Sequence, residues 1–184
     1  MKGLRLFVTD CIKKDFPNNI KGVFDVPNEV VPSFDYEEIV ICGGEPLVFK
    51  KNLIRLLQSF FTMGEMTGIK RKVLVETSLC DFWIIDDILK YCDGIICTPK
   101  TKDDMAYFKQ LNNELLKGNY YRHYEKKDLR LNILPCVKHF FPENLKVWQI
   151  QEFPSDEIVS VTSGDYFRIA NLWEDDNDWY SLTR

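Results

Sequence analysis

One stretch constrains this chain more than any other: Ile39-Val40-Ile41-Cys42-Gly43-Gly44-Glu45-Pro46-Leu47-Val48-Phe49. A short β-branched run meets two glycines, an acid and a proline, and the amphipathic segment Lys51 to Phe61 follows. That order predicts a buried strand, a tight turn and a helix. Glycine at such a turn lets the backbone take φ > 0 or approach a ligand closely, and Glu45 falls at the strand's C-terminal end, where α/β folds bind small molecules.

The same alternation runs through most of the chain. Strands are predicted at Leu4 to Thr9, Glu38 to Cys42, Lys72 to Glu76, Ile95 to Cys97, Leu129 to Leu134 and Lys146 to Gln151. Helical spacing groups Leu53, Ile54, Leu57, Phe60 and Phe61, then Phe82, Ile85, Ile88 and Leu89, then Met105, Phe108, Leu111 and Leu115 within Thr101 to Lys117. Phe60, Phe61, Phe82 and Trp83 are read as core. Gly22 to Asp35 carries Pro27 and Pro32 among valines and predicts an extended connection rather than a helix. The expectation is an α/β fold with a mainly parallel sheet, open or partly closed. The runs Glu157 to Thr162 and Tyr166 to Ala170 flank Ser163-Gly164-Asp165 and predict a hairpin on the sheet edge. The division expected is a single domain over 1–170 and an acidic C-terminal tail over 171–184, anchored by Trp173 and Trp179.

With 184 residues the chain is one domain by length, and a formal net charge of −4 gives no global attraction to nucleic acid or anionic membranes. No apolar run reaches bilayer-spanning length and Met1 to Arg5 lacks a secretory pattern, so the expected location is cytoplasmic, with no membrane partner. The cysteines, Cys11, Cys42, Cys80, Cys92, Cys97 and Cys136, are scattered through apolar segments, as expected of reduced, buried thiols.

Four features, in order, carry a family resemblance: a first strand Leu6 to Thr9 leading to Cys11, Gly43-Gly44-Glu45-Pro46 after the second strand, Glu76-Thr77-Ser78 after the third, and Thr98-Pro99-Lys100 after the fourth. Over its first two thirds the chain resembles a small radical S-adenosylmethionine (SAM) domain, similar to anaerobic ribonucleotide reductase activases at the first strand and to 7-carboxy-7-deazaguanine synthases at the later motifs. The resemblance implies a partial (β/α) barrel, and a SAM site at Gly43, Gly44, Glu45, Pro46, Glu76, Thr77, Ser78, Thr98 and Lys100. It also implies a [4Fe–4S] cluster on three cysteines spaced C-x3-C-x2-C, because soft thiolates hold such clusters. Here those positions are Cys11, Asp15 and Asn18. With two ligands gone, the expectation is a pseudoenzyme: no catalytic residues, no resident metal or [4Fe–4S] cluster, and SAM retained only as an alternative.

Against the SAM site stands a plainer reading, in which Glu45, Glu76, Thr77, Ser78 and Thr98 cap strand-end turns. Tyr120-Tyr121-Arg122-His123-Tyr124 interleaves aromatics with cations and is read as a protein-binding segment, with nucleic acid the lesser alternative. His139 is read as a turn residue. The function expected is therefore a catalytically inactive radical-SAM-like protein that binds and regulates a protein partner, as an inhibitor in a viral or host-defence setting. The alternatives are a SAM- or nucleotide-binding module without a cluster, and a radical SAM enzyme with an atypical one.

Overall fold

Short β-branched runs alternating with amphipathic segments build a parallel sheet, and the described helices pack on one side of it. The computed structural model describes residues 3–7, 37–42, 45–117, 124–152 and 177–181. Its strands are β1 (Gly3–Phe7), β2 (Glu38–Cys42), β3 (Lys72–Thr77), β4 (Gly94–Cys97), β5 (Asp128–Ile133), β6 (Gln149–Glu152) and β7 (Asn177–Ser181). The helices are α1 (Lys50–Thr67), α2 (Phe82–Leu89) and α3 (Lys102–Leu116). Five strands, β2 to β6, lie side by side in sequence order, β1 and then β7 extend the sheet beyond β2, and every pairing is parallel. The sheet is open, with β6 and β7 at its edges.

Consecutive order has a consequence for the layers. Right-handed crossovers that always step in the same direction place each connecting helix on the same face. Ile39 and Ile41, Val73 and Val75, Ile95 and Cys97, and Leu129 and Leu131 accordingly share one core with the buried residues of α1, α2 and α3. The opposite face carries a small cluster, Val40, Cys42, Leu74 and Ile96, and among the described residues no helix packs on it.

Local sequence sets the helix ends. Buried Leu53, Leu56, Leu57, Phe60 and Gly64 hold α1 to the sheet, and Gly68 stops it in the left-handed region at φ 71°. Asp81 caps α2 by accepting from the Ile84 N–H, and Thr101 with Asp104 forms a capping box on α3. After β5, a 3-10 turn over Pro135–Phe140 leads to Trp148, whose indole N–H donates to Asn112 Oδ1 at 3.0 Å. The Asn112 amide in turn donates to the Asn144 carbonyl at 3.0 Å, so one buried α3 side chain pins the approach to β6.

Several expectations need correction. Phe61 and Trp83 are 69% and 66% exposed, since each follows a buried aromatic and neighbours in sequence do not share a helix face. Helix α1 runs on to Thr67, because nothing before Gly68 stops it. Strand β6 begins at Gln149 rather than Lys146, because residues 146–148 form a turn in which the Trp148 N–H donates to the Leu145 carbonyl. Within the segment read as an acidic tail, Asn177–Ser181 form β7 on the outer edge of β1; its Trp-Tyr pair favours a strand, a signal the neighbouring acids obscured. The predicted hairpin over 157–170 and the connection Gly22 to Asp35 lie outside the described residues. No described helix is long and apolar enough to cross a membrane.

Candidate functional site

The C-terminal ends of β2, β3 and β4 bring together residues from three of the four motifs. Glu45 is N-cap of a 3-10 turn over Pro46–Phe49 and accepts from the Leu47 N–H at 3.1 Å, with Pro46 at the turn's first position. Its carboxylate then reaches across to the loop after β3. Thr77 Oγ1 donates to Oε1, while the Ser78 N–H and Ser78 Oγ, both at 2.9 Å, and the Leu79 N–H at 3.1 Å donate to Oε2. A carboxylate offers about four lone-pair positions. Five donors fill those of Glu45, and they do so from two loops more than thirty residues apart.

A second group lies at the same strand ends, on the face opposite α1, α2 and α3. Asn132 of β5 donates to Thr98 Oγ1 at 2.9 Å, and Thr98 donates to Glu76 Oε1 at 3.2 Å. All three are buried, Asn132 completely. The row points hydrogen-bond donors at one carboxylate, which is what a site for a polar ligand and a polar sheet seam have in common. Lys100, two residues after Thr98, is half-buried, and its backbone N–H donates to Asp104 at 2.9 Å. The motif residues are thus divided between the two faces: Glu45, Thr77 and Ser78 form a loop clamp, and Glu76 and Thr98 join Asn132.

Gly43, Gly44, Cys11, Asp15, Asn18 and Tyr120 to His123 lie outside the described residues. Tyr124 is 6% exposed and its hydroxyl donates to Asp86, so it belongs to the core rather than to a partner surface. His139 sits in the 3-10 turn, edge-on to Phe140. Cys42, Cys80, Cys92 and Cys97 are buried as expected, whereas Cys136 is exposed. Burial pushes the Cys92 thiol up to about 12, and burial together with neighbouring Cys97 raises that of Cys80.

Glu45 does not suit the part that the resemblance to SAM-binding domains implies for it. A ligand ammonium would need acceptor positions on Glu45 that the Thr77, Ser78 and Leu79 donors already hold.

Sequence reasoning missed a third constellation, at the strands' N-terminal ends. Arg130 grips both oxygens of Glu38, at 3.0 and 2.7 Å, and bonds Asp128 at 2.9 and 3.1 Å. Lys72 bonds Asp128 as well and lies 3.4 Å from Glu38. Burial opposes the charge on Asp128, but Arg130 and Lys72 outweigh it and hold the carboxyl below its ordinary value. For Arg130, burial likewise acts downward and the two carboxylates raise the pKa overall. The network crosses β4 at Gly94, where a Cβ would lie 2.0 Å from the Asp128 carbonyl oxygen. The available signal was the polar alternation Asp128, Arg130, Asn132 within an otherwise apolar strand. No protein-family model matches the chain, and no curated protein matches it.

Proposed function

We propose that this chain is a radical-SAM-like protein that has left radical chemistry and works by binding a protein partner, in the manner of a regulator or inhibitor. One observation carries the reading: the Glu45 carboxylate, the SAM-facing group in the resemblance, is saturated by Leu47, Thr77, Ser78 and Leu79 and serves the fold. The sequence supports it independently, since Asp15 and Asn18 stand where cluster thiolates would be, and a neutral amide is a poor iron ligand.

Anaerobic iron–sulfur reconstitution followed by iron and sulfide analysis tests the proposal. Substoichiometric iron and no thiolate-to-iron absorption are expected, and a stable four-iron cluster would overturn it. The second reading, a SAM- or nucleotide-binding module without iron, draws on the buried Asn132–Thr98–Glu76 row. Titration calorimetry with SAM and with adenine nucleotides separates the two: saturable heat that Thr98→Val abolishes favours the module, and none at millimolar ligand favours the protein-binding reading.

A further inference from the structure

We draw no further inference here: the strongest candidate, the apolar groove between the C-terminal end of α1 and the turn after α2, has its lysines offset by Glu65, Asp86, Asp87, Asp93 and the negative ends of the two helices, and nothing in the structure shows what covers it.

Discussion

Arg130 closes its two terminal nitrogens on the two carboxylate oxygens of Glu38, 92 residues earlier in the chain and three strands away in the sheet. Glu38 has no exposed surface, so removing Arg130 leaves its buried carboxylate without its two-point partner, with Lys72 at 3.4 Å the cation that remains. Arg130→Met is expected to cost about 3–5 kcal/mol, which for a chain of this size lowers Tm by roughly 10 °C. The double variant Glu38→Met with Arg130→Met should recover much of that loss, because replacing a buried pair by apolar groups is often close to neutral. Thermal melts of the two variants decide it; a double variant no better than the single one would refute the account.

The same network sets an acid limit. Burial works to raise the Asp128 pKa, but Arg130 and Lys72 bring it below the unfolded value of about 3.9. A depressed carboxyl contributes stability that is fully present above its unfolded pKa and lost as pH falls through the folded one. Urea midpoints should therefore be insensitive to this group from pH 6 to about 4 and should drop below that. In Asp128→Asn the drop should be shallower and the plateau lower; an unchanged slope below pH 4 would show that Asp128 does not titrate as argued.

Glu45 is expected to behave as a structural clamp. Glu45→Gln puts an N–H₂ group among the Ser78 and Leu79 donors and should cost about 2–3 kcal/mol, the order of a charge-assisted bond in a partly buried setting. Ser78→Ala removes one hydroxyl donor and should cost about 1 kcal/mol. Denaturant midpoints should shift in that order with unchanged m-values. Full stability in Glu45→Gln would release Glu45 for a ligand role.

Gly94 tolerates no side chain. A Cβ there would meet the Asp128 carbonyl oxygen at 2.0 Å and its carbonyl carbon at 2.7 Å, both backbone atoms that no rotamer change can move. Gly94→Ala should cost more than about 4 kcal/mol, in the range reserved for severe core lesions, and should express mainly as insoluble protein. A soluble variant with wild-type Tm would mean that β4 and β5 pair differently.

Thiol reactivity should be polarised. Cys136 is exposed, while Cys42, Cys80, Cys92 and Cys97 are buried and the Cys92 thiol is pushed up to about 12. Since the thiolate is the nucleophile, iodoacetamide at pH 8 should label Cys136 rapidly and the four buried thiols only on unfolding. Peptide mapping of native and urea-treated protein gives the comparison; early labelling of Cys92 would contradict its burial.

The order of strands and helices was legible because each element declares itself locally. Ile39 to Cys42, Lys72 to Glu76 and the Leu53, Leu57, Phe60 spacing need no distant information, and Gly68 marks the helix stop. Faces were harder: Phe61 and Trp83 are as apolar as the core residues before them, and only the helix phase sends them to solvent. The polar pairings were legible only where the motif resemblance brought their residues together, as with Glu45 and Ser78. Glu38 meets Arg130 through the parallel register of strands far apart in sequence, which no local spacing encodes. Asn132 gave a faint signal, an amide alternating with leucine and isoleucine in a strand otherwise suited to a core.

The pairing of β7 with β1 bears on how the chain is born. Gly3–Phe7 is synthesised long before Asn177–Ser181, the strand that pairs with its outer edge. Throughout synthesis β1 therefore offers an unpaired edge to any strand at hand, the setting in which edge-to-edge association begins. Nascent chains released short of Asn177 should accordingly gather into aggregates or draw chaperones, while chains released after Ser181 should not. Sedimentation of nascent chains of graded length, after their release from the ribosome, would locate that threshold.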